Sequence, residues 1–232
     1  LTAAERMTAP HTMLAKIAAL PDRSAAMVRL LHHCLLFAGD DSDTRFARAD
    51  TERDAFRRLL NIPDNYQILF LQGGAIGENA IIPLNLLGDA TQGANQTIDS
   101  VISGAWSLKT QKEADRYARA GGGACNIIAN SDDGSGKFLY FPEPDTWQLS
   151  DKPNYVNFCP NETIHGVEWF APQSVADDLA ARGAFLVADM SSNILSRPLD
   201  VTRYGVIYGG AQKNIGPAGV TFVIVRDDLL DR

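Results

Sequence analysis

The sequence predicts a three-layer α/β domain, a mostly parallel sheet with helices on both faces. Two observations carry this. From Asp50 onward, short apolar runs rich in β-branched residues alternate with segments of helical periodicity, the order that builds parallel strands through crossover helices. The residues that most suggest chemistry also fall just after the predicted strands: Gly73, Gly74, Trp106, Thr163, Asp189 and Lys213. Open α/β sheets carry their ligands at that edge.

The 232 residues suffice for one domain of ordinary size or two small ones, and 45% hydrophobic content allows a substantial core. A net charge of −7 argues against nucleic acid and against an anionic membrane surface. No run approaches a transmembrane length, and the start lacks a signal-peptide pattern. Cys34, Cys125 and Cys159 are widely spaced and form no CxxC, which suits reduced thiols in a cytoplasm. The chain starts at Leu1 and stops at Asp231-Arg232 after a helix-start signal, so both ends read as cut.

Thr12–Leu20 and Ala25–Leu36 have helical spacing. His32-His33-Cys34 does not make a metal site, because adjacent helical residues point apart and no matching pair lies elsewhere. Asp40 to Asp43 reads as a solvated turn. Asp50 or Thr51 caps a helix with Phe56, Leu59 and Leu60 on one face. Gln67–Leu71 is a buried strand, Gln72–Asn79 a glycine turn, and Ala80–Leu87 a helix with Pro83 near its first turn. Strand, glycines and helix start together make a phosphate seat, although the spacing is neither GxGxxG nor a P-loop, and read alone it serves an ordinary tight turn as well.

Gln96–Ser103 is a strand, and Trp106 stands just before a helix at Lys109–Ala120. A tryptophan there packs in a core or stacks on a flat heteroaromatic ring. Ala124–Ala129 is a strand, followed by a polar excursion with a small edge strand at Lys137–Phe141. Tyr155–Phe158 is a strand, Ser174–Arg182 a helix closed by Gly183, and Phe185–Ala188 a strand ending at Asp189.

Gly205–Gly209 and Val220–Val225 are strands, and Lys213 lies on the glycine-rich loop between them. A lysine in a tight, partly dry pocket has a lowered pKa and a nucleophilic amine. That is what a Schiff-base lysine requires, and pyridoxal phosphate is the commonest reason for one. A surface turn with its lysine in water is the simpler alternative. Asp189, desolvated at a strand end, needs a partner: a pyridinium nitrogen, or a salt bridge to Arg197 or Arg203.

The runs Ala188–Pro198 and Gly210–Gly219 closely resemble the phosphoserine aminotransferase family. So do Phe70–Ala75, Pro83–Leu87 and Cys159–Ile164. The resemblance covers residues 46–232. It implies the large domain of a fold-type I transferase with a seven-stranded, mostly parallel sheet, cut before the small domain, with residues 1–45 poorly matched. It implies pyridoxal 5′-phosphate as cofactor, Lys213 as its covalent anchor and proton shuttle, and Asp189 against the pyridine nitrogen. Trp106 would stack on the ring and Thr163 would bond near the ring hydroxyl. The backbone of Ala75 and Ile76, with Gln212, would hold the phosphate. The implied reaction exchanges the amino group between O-phosphoserine plus 2-oxoglutarate and 3-phosphohydroxypyruvate plus glutamate. It serves serine synthesis and, in many bacteria, pyridoxine synthesis, in a cytoplasmic homodimer.

The chain departs from that family in three places. Residues 1–45 show neither its Ser/Gly-Pro-Ala opening nor its His-Arg pair. Some members carry arginine where Ile76 stands. The small domain, which supplies substrate arginines and an Asn-Thr pair reaching the partner's phosphate site, is missing. Three other readings remain: a different fold-type I aminotransferase or desulfurase, a remnant that binds cofactor or a partner without turnover, and a nicotinamide-binding domain, which the lack of GxGxxG disfavours.

Overall fold

The computed structural model describes residues 52–88, 95–216 and 218–230. The expected helices at Thr12–Leu20 and Ala25–Leu36, the His32-His33-Cys34 run, the Asp40–Asp43 turn, the caps at Asp50 and Thr51, and Pro217 lie outside the described residues.

In chain order come helix α1 (52–60), β1 (Tyr66–Leu71), α2 (Gly74–Leu86), β2 (Thr97–Ile102), α3 (Ala105–Ala120) and β3 (Ala124–Asn130). Then follow β4 (Tyr155–Phe158), β5 (Asn161–Glu162), β6 (Val167–Glu168), α4 (Gln173–Ala181), β7 (Leu186–Asp189), β8 (Tyr204–Gly210) and β9 (Thr221–Arg226). Seven strands form one sheet in the order β1-β9-β8-β7-β4-β2-β3, while β5 and β6 pair as a separate antiparallel hairpin. Only β9 runs against its sheet neighbours, β1 and β8; all other pairs are parallel.

Strand alternation sorts side chains into two cores, one on each face. Leu186, Ala188, Ile207, Phe222 and Ile224 join Phe56 and Leu60 of α1 and Val175 and Leu179 of α4. Val187, Val206, Tyr208, Val223 and Val225 join Ile82 and Leu86 of α2 and Ala114 and Ala118 of α3. Two apolar faces on one sheet give the three layers that the strand–helix alternation predicts. Each fully buried aliphatic side chain, such as Ile224, contributes about 1.5–3 kcal/mol.

Three local expectations are corrected. The helix α2 starts at Gly74, not Ala80, so Pro83 lies inside it rather than near its first turn. Gly73 (φ 109°) and Gly74 (φ 66°) complete the turn in two left-handed residues, and the helix follows at once. Similarly, α3 starts at Ala105, which puts Trp106 in its first turn rather than before it. Its buried side chains, Ser107, Thr110, Ala114 and Ala118, are small and recur at helical spacing, so α3 lies close on the sheet. The edge strand at Lys137–Phe141 is reduced to one bridge between Asp132 and Phe138. There the Asp132 and Asp133 carboxylates take the N–H groups of Gly134, Ser135, Gly136 and Lys137, which a ladder would need. Among the described residues, no helix is long and apolar enough to cross a membrane.

Candidate active site

The carboxyl ends of the parallel strands surround a cavity of about 160 Å³. Gly73, Gly74, Ala75 and Ile76 form one wall. There the Gly77 N–H donates to Gly73 O (3.3 Å), so the N–H groups of Gly74, Ala75 and Ile76 have no carbonyl within the helix. No side chain caps this end and no acid lies in its first turn. The positive end of the α2 dipole is therefore unneutralised at the cavity wall.

Asp189 ends β7 and is 8% exposed. Its Oδ1 accepts from Ser191 N–H (3.0 Å) and Ser191 Oγ–H (2.5 Å). Burial raises its carboxyl above the usual range, partly offset by those two bonds and by the charge of Lys213. Neither expected arginine pairs with it: Arg197 binds Glu168 (3.0 Å) and Arg203 binds Asp200 (3.4 Å). Both arginines are engaged by other acids, which leaves Lys213 as the one cation among the described residues lining the cavity.

Lys213 and Gln212 both line this cavity. The lysine Nζ donates to Thr163 Oγ1 (2.7 Å) and lies 5.5 Å from the Trp106 ring centroid. The expected dry pocket around Lys213 is not found; its side chain is exposed, as are Gln212 and Thr163. The loop explains this. Ala211 and Ile215 are its buried anchors, closed by Gly216 N–H to Ala211 O (2.7 Å), and Gln212 and Lys213 stand between them on the rim.

Gly73, Ala75, Ile76, Trp106, Asp189, Gln212 and Lys213 thus share one cavity, and Thr163 joins it through Lys213. Sequence reasoning missed Asn79, Thr110, Cys159, Asn161, Ser191 and Ser192, which also line it. The Asn79 Oδ1 accepts from Tyr208 OH (3.0 Å) and Thr110 Oγ1 (3.1 Å), a buried network under the cavity. The serine pair directly after a strand-end acid was the one available signal. Asn79 carried none, since its place depends on how α2 and α3 pack. The Cys159 thiol is buried and held well above its ordinary pKa by desolvation, so it is not a nucleophile here.

The aminotransferase class-V family model matches residues 19–232. The chain belongs to the class-V aminotransferase family. Among curated proteins it is 55% identical over 182 residues to the phosphoserine aminotransferase of Janthinobacterium sp. (strain Marseille), covering 78% of this chain and 46% of that protein. It is 54% identical over 180 residues to the phosphoserine aminotransferase of Herminiimonas arsenicoxydans, again covering 78% and 46%. Among solved structures, the PLP-bound phosphoserine aminotransferase from Trichomonas vaginalis matches at 32% identity and a TM-score of 0.69, covering 85% of this chain and 53% of that one. A cysteine desulfurase from Thermococcus onnurineus, at 15% identity and a TM-score of 0.62, shares the fold. The chain spans about half the length of the curated relatives it matches.

Proposed function

We propose that this chain is the cofactor-binding part, residues 46–232, of a phosphoserine aminotransferase that uses pyridoxal 5′-phosphate. The observation that supports it best is the joint placement of Lys213, Asp189, Trp106 and the uncapped start of α2 around one cavity. Three features fit the cofactor. The α2 N-terminus offers N–H donors to a phosphate, with Gln212 beside it. Asp189 is a buried acid whose two Ser191 bonds both fall on Oδ1, so Oδ2 serves a pyridine nitrogen. Trp106 offers a ring face next to the Lys213 amine.

When bound, the cofactor supplies an electron sink for the carbanion formed at a substrate α-carbon. The chain's own residues do the rest. Lys213 Nζ would hold the cofactor aldehyde and move the proton at the substrate α-carbon. Asp189 would keep the ring nitrogen protonated by its charge. Thr163 Oγ1 accepts from the amine and would also serve the ring hydroxyl. Trp106 would stack on the ring, and the N–H groups of Ala75 and Ile76 would hold the phosphate.

For the whole protein we propose amino-group exchange between O-phosphoserine with 2-oxoglutarate and 3-phosphohydroxypyruvate with glutamate; the relatives' names support phosphoserine as the amino-group substrate. That reaction belongs to serine synthesis and, in many bacteria, pyridoxine synthesis, in a cytoplasmic homodimer. Adding pyridoxal phosphate to the purified chain should give a visible band that borohydride fixes onto Lys213 in a peptide map. Adducts scattered over other lysines would refute the cofactor reading. A donor-range assay on a full-length form tests the substrate, with O-phosphoserine expected to exceed alanine and cysteine.

A further inference from the structure

Trp106 and Thr163 belong to separate walls: the first turn of α3, and the turn between β5 and β6. The residue that ties them is Glu162, which is fully buried. Its Oε2 accepts the Trp106 N–H (3.0 Å), and its Oε1 accepts the Ser107 N–H (2.7 Å) and Oγ–H (2.6 Å). Its backbone carbonyl accepts from His165 N–H (3.0 Å) and Gly166 N–H (2.9 Å), which folds the turn that presents Thr163. On either side, Asn161 O accepts from Ser192 Oγ (2.9 Å) and Thr163 accepts from Lys213 (2.7 Å). Three consecutive residues thus hold three parts of the cavity.

We infer that Glu162 is the positioning residue that fixes the Trp106 ring relative to Thr163 and Lys213, and so sets the slot for the pyridine ring. Helix caps normally come from the residue at the helix start. Here that residue is Gly104, which has no side chain to offer, and the cap arrives from more than fifty residues away. Gly104 is required by this arrangement: a Cβ there would lie 2.3 Å from Glu162 Cδ. A carboxylate held by three donors at a helix N-terminus has a well-defined position, because each bond is charge-assisted and the dipole adds to them.

This inference rests on the pyridoxal phosphate reading, and the experiment separates the two. The 232-residue chain is titrated with pyridoxal phosphate, and the visible circular dichroism per bound cofactor is recorded together with Kd and the melting temperature. Glu162→Gln removes the charge and keeps the shape. Gly104→Ala attacks the same contact from the helix side, since its methyl would meet the Glu162 Cγ and Cδ atoms. Glu162→Gln and Gly104→Ala are each expected to weaken binding about tenfold, the loss of one charge-assisted bond, and to lower the dichroism of the cofactor that remains bound. Lowered dichroism per bound cofactor in both variants is a change that a purely structural role would not produce. Wild-type dichroism per bound cofactor and unchanged Kd in both variants would overturn the inference alone, and so would losses that track only the unfolded fraction. A wild-type chain that forms no adduct at Lys213 would overturn both readings.

Discussion

Lys213 Nζ and Thr163 Oγ1 lie 2.7 Å apart, joining two loops fifty residues distant in sequence. Both side chains are exposed, so the bond adds only about 1 kcal/mol to stability. Its consequence is orientation: it holds the amine at the cavity rim beside Trp106. Thr163→Val should lower the melting temperature by no more than about 2–4 °C and slow adduct formation roughly ten- to a hundredfold. Lys213→Ala and Lys213→Arg should both abolish the borohydride-fixed adduct, since a guanidinium stays protonated. Stopped-flow absorbance and peptide mapping measure these effects.

Asp189→Asn should act in opposite directions on the fold and on the ligand. The carboxylate is buried with its pKa raised by desolvation. Its contribution to stability is therefore full below the unfolded carboxyl value and falls as pH rises through the raised folded one. An asparagine accepts the same Ser191 bonds without the charge, so the cofactor-free variant should melt higher at pH 7. It should bind pyridoxal phosphate more weakly, because the ion pair it leaves is worth on the order of 3–5 kcal/mol. Calorimetry of free and loaded protein checks both signs, and equal shifts of one sign would remove Asp189 from the ring-nitrogen role.

The strand ends were legible in the sequence because buried parallel strands read as apolar runs, and whatever interrupts them stands out. Gly73, Asp189 and Lys213 interrupt such runs. Glu162 was not legible: it sits in a polar stretch, and only the packing of β5 against α3 shows that it is buried. The dry pocket expected for Lys213 failed for a related reason. A lysine flanked by glycines and strands does not reveal what covers it, and here the anchors Ala211 and Ile215 go inward while the lysine stays on the rim. The false strand at Lys137–Phe141 came from reading β-propensity without the two aspartates that capture the amides of Gly134 to Gly136 before it and of Lys137, its first residue.

Glu78 predicts a pH dependence independent of the cofactor. It is 1% exposed on α2, and its Oε1 has no hydrogen-bond partner. The two other cavities it borders are lined by no cation and no other carboxylate. Burial raises its pKa from 4.5 to about 7. The folded state therefore holds a proton that the unfolded state releases, and stability present below pH 4.5 is lost as pH rises toward 7 and beyond. Glu78→Gln should match wild type near pH 4.5 and exceed it by about 3 kcal/mol at pH 8. Urea unfolding across that range gives the slope, and parallel profiles for the two proteins would contradict the assignment.

Turnover is a different matter from cofactor binding. A substrate with a phosphate and a carboxylate needs both neutralised while its α-carbon is held over the ring, and arginine suits both anions through paired donors. Among the described residues lining the cavity, the one cation is Lys213, which the chemistry itself occupies. Arg197 lies against Glu168 and the Phe170 ring, Arg203 against Asp200, and Arg226 against Asp228. Freeing any of them would break an existing pair. A substrate misplaced by about an ångström costs roughly a hundredfold in rate, and missing anion partners should cost more. The 232-residue chain should therefore bind pyridoxal phosphate yet form glutamate from O-phosphoserine and 2-oxoglutarate no faster than free pyridoxal phosphate does. Fusing the remaining half of a phosphoserine aminotransferase relative should raise that rate by several orders of magnitude. Robust turnover by the unfused chain in a coupled glutamate assay would overturn this prediction.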